Sequence, residues 1–349
     1  MQLMFPLEPK ILTTETNGGL VILRAVVGNN PSDSVLLSKR EYFVYDPRAA
    51  KLDHLPHPGR QHEFDEYTLA IVRKCSQHCQ RTSTTTTTHQ DSRASLQEHH
   101  CDCTYVVAAQ AISFTSPETS HLCMYHSDTK TWSKKPVMLN SYPHCHATSK
   151  TLTIGGDKGT VAWIDLWQSI IFCDILDEQP KLRCLELPKR IMPKNKMGHG
   201  DPRSIGDIAA VATLKPPIIG RPSHAWSISI SSFSREDWTR DHHMRSTRIP
   251  PPSSLHQLMV DAGIKAAHPT LSTLHVGLPN ISLQNDDIVY FLAKIDYCDR
   301  HRTAWVLGVD MRNETVKEVC PFDSKRTLGL GRGYDASRIS AYLEPALGN

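Results

Sequence analysis

Ser169-Ile-Ile-Phe-Cys173, followed by Asp174-Ile-Leu-Asp-Glu-Gln-Pro180 and Leu182-Arg-Cys-Leu-Glu-Leu-Pro188, decides the architecture. A short apolar run, an acidic turn-forming segment and a second run that stops on proline read as two strands and their hairpin connection. The same order recurs on both sides. Toward the N-terminus it appears as Glu41–Tyr45, turn Asp46-Pro-Arg-Ala49, Lys51–Pro56, and again as His121–Tyr125, turn His126–Lys130, Thr131–Pro136. Toward the C-terminus it appears as Ala225–Ile230, turn Ser231–Glu236, Trp238–Arg240, and as Ala304–Val309, turn Asp310–Glu314, Val316–Val319.

The spacing of these hairpins carries the next step. Asp128 and Asp174 lie 46 positions apart, close to the roughly 40–50 residues of a four-stranded propeller blade. Asp46 and Asp128 are 82 apart. A polar insertion at 76–102, including the tract Thr84–Thr88, explains the excess and is too polar to pack. Asp174 and Asp310 are separated by 136 positions, about three periods, with the fourth hairpin between them. Further strands are expected at Leu20–Val27, Tyr67–Val72, Tyr105–Ser113, Leu152–Ile154, Thr160–Ile164, Ile208–Thr213 and Ile288–Ile295. One segment, Ser253–Gly263, places Leu255, Leu258, Met259 and Ala262 on a single helical face between a serine and a glycine, although an irregular connection fits it equally. Pro216-Pro217, Pro222 and Pro250–Pro252 read as loops between strands. The expected fold is all-β: a propeller-like array of about five or six antiparallel blades with few short helices, one domain over 1–349 with a disordered, low-complexity insertion at 76–102.

Composition fits that reading. The chain has 349 residues, with 23 Pro and 18 Gly as turn punctuation and 39% hydrophobic residues, enough for a core. Its 39 basic and 36 acidic side chains leave a net charge of +3, so a nucleic-acid partner is not expected. Ten cysteines without framework spacing, some inside apolar runs such as Cys123 and Cys173, read as mostly reduced, although their even count leaves pairing open. No secretory signal and no window of about 20 apolar residues is visible, so a soluble intracellular protein, cytoplasmic or nuclear and not membrane-bound, is expected. The sequons at Asn280 and Asn313 are then coincidental.

Candidate sites are sparse. Cys75, Cys79, His99, Cys101 and Cys103, with His78 and His100 nearby, offer the sulfur and nitrogen ligands of a zinc site, although the Cys-x3-Cys and Cys-x-Cys spacings depart from the common knuckle. The bland alternative is a loop without metal, and no cofactor is required by anything else in the chain. Trp163, Asp165 and Trp167 alternate and would share one face of a strand as a ligand platform; the competing reading buries the indoles between blades, with Asp165 accepting a hydrogen bond. Asp286-Asp287 reads as turn capping, Gly329–Gly333 as a flexible turn, and Lys189, Arg190, Lys194 and Lys196 as a solvated basic loop. Serine-hydrolase, zincin and phosphate-loop motifs are absent.

Val161-Ala-Trp-Ile-Asp-Leu-Trp-Gln-Ser-Ile-Ile-Phe-Cys-Asp-Ile-Leu176, with Leu182–Pro188, resembles the plant family named domain of unknown function 1618, which is expanded in grasses. Phe43–Asp46, Tyr125–Trp132, Arg203–Val211, Trp226–Trp238, Thr270–Pro279, Asp286–Lys294, Val309–Arg312 and Ile339–Leu343 resemble it in order, so the likeness spans nearly the whole chain. Gln168-Ser169 departs from the family, which carries a glycine at the second position. The resemblance implies kinship with F-box-associated propeller domains, without an F-box here, and supplies no catalytic residues. The leading functional expectation is a non-enzymatic module that binds an as yet unidentified protein partner. Its rivals are an enzyme, hydrolase-like or metal-dependent, at a channel mouth, and a small-ligand or carbohydrate binder using Trp163 or Trp167.

Overall fold

A computed structural model describes residues 4–15, 19–28, 39–59, 64–74, 103–111, 120–139, 146–187, 203, 206–210, 214–215, 217–220, 227–234, 237–261, 264, 270–282, 284–285, 287–295 and 304–322. These residues form mostly strands. The first sheet is the antiparallel meander β1 (Met4–Thr14), β2 (Val21–Gly28), β3 (Lys39–Asp46) and β4 (Lys51–Leu55). The second repeats it with β5 (Ala70–Lys74), β6 (Thr104–Gln110), β7 (Ser120–His126) and β8 (Thr131–Leu139), and the third with β9 (Lys150–Gly155), β10 (Thr160–Asp165), β11 (Ser169–Asp174) and β12 (Lys181–Glu186). A two-residue parallel pairing, Lys181 with Met138 and Leu182 with Leu139, joins the outer strands of the second and third sheets. Next come a short ladder of β13 (Ala209–Ala210) with β14 (Leu214–Lys215) and a three-stranded sheet of β15 (Pro217–Gly220), β16 (Ser227–Ser234) and β17 (Asp237–Arg245). Helix α1 (Ser253–Asp261) precedes a last meander of β18 (His275–Ile281), β19 (Ile288–Lys294), β20 (Ala304–Asp310) and β21 (Thr315–Phe322).

The alternation of side chains explains why the sheets stack. In the second sheet Ile71, Val107, Ala109 and Tyr125 pack with Leu20, Ile22, Tyr42, Val44 and Leu55 of the first. Their sequence neighbours Ala70, Val72, Val106, Ala108 and Met124 turn the other way, onto Val161, Trp163, Ile171 and Cys173 of the third. Strands buried on both faces carry near-continuous apolar runs, which is why Tyr105–Ala109 and Val161–Ile164 contain no charged residue. Burying a side chain of Val, Leu, Ile or Phe size is worth about 1.5–3 kcal/mol, so these two interfaces are the main source of cohesion in this half of the chain. Hydrogen bonds reinforce them. Trp132 donates its indole N–H to the carbonyl of Pro56, and Glu66 receives Arg24 at 2.7 Å, Arg40 at 3.1 Å and the Tyr42 hydroxyl at 2.9 Å. In the last sheet, α1 lays Leu255 and Met259 onto Val276, Val289, Phe291 and Leu307.

In the first, second and last four-stranded meanders the hairpin between third and fourth strands shares one loop geometry, whereas a longer connection, 175–180, joins β11 to β12. After Asp46, His126 and Asp310, four residues turn the chain, the last of them in the left-handed region: Ala50 (φ 47°), Lys130 (φ 55°) and Glu314 (φ 51°). Asp46 and Asp310 accept backbone N–H groups two residues on. The position equivalent to them is therefore His126, two residues before the aspartate used to measure the period.

Several sequence boundaries shift. Pro136 does not end β8; it pairs opposite His121 and the strand runs on to Leu139, as a proline allows along an edge. In the fourth hairpin Ser231–Ser234, read from the sequence as turn, continue the ladder against Asp237–Arg240. Tyr67 precedes β5 in a short helical turn that Asp65 caps, and β13 covers Ala209–Ala210 of the strand expected at Ile208–Thr213, of which 211–213 lie outside the described residues. Pro217 opens β15. Ser253–Asp261 is helical, its first hydrogen bond running from His256 N–H to the Pro252 carbonyl, but Leu258 is exposed while Leu255 and Met259 are buried. Strands β1, β15 and β18 were not anticipated by the sequence pattern. The whole of 76–102 lies outside the described residues. Among the described residues no helix is long and apolar enough to cross a membrane.

Candidate functional site

The first strands of the first three sheets gather side by side. Glu15, just past β1, forms a parallel bridge with Thr153 of β9 and accepts the Arg73 backbone N–H of β5 at 2.9 Å, while Thr153 donates its hydroxyl to the Ile71 carbonyl. At the end of the cluster where β5 and β9 begin, Tyr67 stands 47% exposed. Its backbone is fixed from two directions: its N–H donates to Asp65 Oδ1 at 3.0 Å and its carbonyl accepts the Thr151 hydroxyl at 2.8 Å. Two cations flank the ring, Lys10 Nζ at 5.4 Å and Arg203 Cζ at 5.7 Å from its centroid. Each such contact contributes about 0.5–1 kcal/mol at an exposed position.

The adjoining part of this rim is built from β9 and the β10–β11 turn. Lys150 pairs with Asp207 at 2.6 Å, both largely buried, and sits opposite Ile164. Beyond Ile164, Asp165 is buried and spends its carboxylate on the turn: Oδ1 accepts Trp167 N–H at 2.9 Å and Oδ2 accepts Ala147 N–H at 3.1 Å. Trp163 is fully buried and donates its indole N–H to the Thr68 carbonyl at 2.7 Å. Trp167 is half-buried in the turn beyond β10, so the alternation that would level it with Trp163 stops at Asp165.

Two polar clusters bear on chemistry. His146 Nδ1 and Ser169 Oγ are 3.0 Å apart, and burial holds the imidazole below its ordinary range against the opposing charge of Asp165. Ser169 is only 1% exposed, so its hydroxyl is sealed from an incoming substrate, and both Asp165 oxygens hold backbone N–H groups. At the opposite end of the first strands, Arg73 bridges Glu15 and Asp46, reaching Asp46 Oδ2 at 2.9 Å. Burial raises the Glu15 pKa despite the hydrogen bond and charge of Arg73. Burial also works to raise Asp46, but there the Arg73 hydrogen bond and charge prevail and the carboxyl titrates below its usual range.

Of the expected zinc ligands, Cys103 is half-buried just before β6, whereas Cys75, Cys79, His99 and Cys101, like His78 and His100, lie outside the described residues. Among the described residues no three His, Cys, Asp or Glu side chains gather to hold a metal ion. The basic run at 189–196 and the glycines at 329–333 also lie outside them, as does Asp286. Asp287 links two sheets, accepting from His242 Nε2 at 3.2 Å and pairing with Arg312 at 2.8 Å. Asn280 is buried within β18, which removes it as a glycan acceptor in the folded state. Sequence reasoning passed over Tyr67, Lys10 and Arg203, which come from three distant segments; the Asp65-x-Tyr67 capping turn is the one local signal.

Trp163, whose burial ties the third sheet to the second, is also where the family match begins. Residues 163–290 match a family model described as protein of unknown function (DUF1618). This is the family that the Val161–Leu176 block resembles, and the matched span is shorter than the resemblance read along nearly the whole chain. No curated protein matches the chain. Among solved structures, the WD40 domain of SCAP from fission yeast is similar over 92% of this chain and 90% of that one, with 7% identity and a TM-score of 0.30.

Proposed function

We propose that this chain is a non-enzymatic protein-interaction module, a single propeller-like domain whose stacked meanders are the blades of a ring and whose docking surface is the rim around Tyr67. The exposed Tyr67 ring between Lys10 and Arg203 is the observation that carries this reading. Tyrosine and arginine are enriched at the centres of protein interfaces, where a rigid aromatic gives contact area at little entropic cost. Here the aromatic sits on a turn fixed by hydrogen bonds to Asp65 and Thr151, so little ordering remains to be done on binding. The resemblance to a plant family supports seeking the partner in plant extract. The test is affinity capture from plant extract with the full chain and with Tyr67→Ala, identified by quantitative mass spectrometry. Specific proteins recovered by the native chain and lost with the variant, at unchanged thermal stability, support the proposal. Recovery that ignores Tyr67→Ala, or none at all, overturns it.

A further inference from the structure

We draw no further inference here: the strongest candidate, the apolar face of the first sheet turned away from the second, where Ile11, Leu23, Phe43, Tyr45 and Leu52 adjoin across the four strands with Ile11 and Leu52 exposed, carries nothing because nothing in the structure shows what covers it.

Discussion

The Trp163 indole N–H donates to the Thr68 carbonyl at 2.7 Å, in a site where the tryptophan has no solvent exposure. One bond thus fastens the third sheet to the turn that launches β5 and presents Tyr67. Trp163→Phe keeps most of the packing but leaves a buried carbonyl without its donor, which costs about 1–3 kcal/mol. Trp163→Ala adds a cavity and is expected to cost about 3–5 kcal/mol. Urea denaturation of the two variants checks both figures; a Trp163→Phe chain as stable as the native one would mean that the hydrogen bond contributes nothing.

Lys150 and Asp207 pair at 2.6 Å with side-chain exposures of 12% and 6%. Removing one partner strands the other charge, so Lys150→Met is expected to lose about 3–5 kcal/mol. The double variant Lys150→Met with Asp207→Leu should recover most of that loss, because the penalty comes from the uncompensated charge. A double-mutant cycle by chemical denaturation measures the coupling, and strictly additive losses would show that the two groups are independently solvated.

How far the sequence discloses this molecule depends on the range of the interaction. Hairpins such as Ser169–Glu186 are legible because turn chemistry and apolar runs are local. The helix at Ser253–Asp261 is equally visible from its 3.6-residue pattern, although Leu258 departs from the buried face. Strand β18 was hidden by Gly277 and Pro279, which punctuate it like a loop, whereas in the fold a bulge with Leu278 at φ 57° lets the ladder resume at Asn280. The rim was least legible, since Lys10, Tyr67 and Arg203 meet only after β1, β5 and β9 have gathered. Trp163 and Trp167, four apart in sequence, are separated by a turn whose hydrogen bonds belong to Asp165.

Ala50, Lys130 and Glu314 end the repeated four-residue loops with positive φ. The left-handed region costs a residue with a Cβ about 1–2 kcal/mol, part of which glycine returns through its larger unfolded-state entropy. Ala50→Gly and Glu314→Gly should each stabilise by roughly 0.5–1 kcal/mol. Gly159 is the converse case: φ is 60°, and an added Cβ would stand 2.7 Å from Leu176 Cγ. Gly159→Ala should destabilise by more than 1 kcal/mol. Thermal unfolding of the three variants orders them, and a loss of stability in Ala50→Gly would refute the strain assigned to the loop.

Glu15 and Asp46 share Arg73 but should tilt the pH dependence of stability in opposite directions. The raised Glu15 pKa means that the folded state holds its proton more tightly than the unfolded state, whose value is near 4.5. Stability from this group is therefore present below that value and lost as pH rises through the folded pKa. Asp46 is lowered from 3.8, so its contribution is present above that pH and lost as pH falls through the folded value. Glu15→Gln should gain stability relative to the native chain on going from about pH 4 to pH 7, and Asp46→Asn should flatten the acid limb. Urea midpoints across that range decide the matter; a native-minus-Glu15→Gln difference that does not fall with pH would overturn the assignment for Glu15.

Cysteine reactivity reads the stacking of the sheets directly. Cys123 is buried in β7, and Cys173 packs in β11 against the second sheet, where burial pushes its thiol up to about 12. The reactive species is the thiolate, so both should resist iodoacetamide at neutral pH as long as the sheets stay together. Cys184 and Cys320 stand exposed on β12 and β21, the outer strands of their sheets, and should alkylate first. Site-resolved mass spectrometry of a labelling time course distinguishes the four, with Cys123 and Cys173 expected to react only after denaturant opens the core. If Cys173 were labelled as quickly as Cys320 in native buffer, the second and third sheets would have to part readily. Tyr67, held through Thr151 and backed by the Trp163 bond, would then lose the rigid footing on which its proposed role as a docking residue depends.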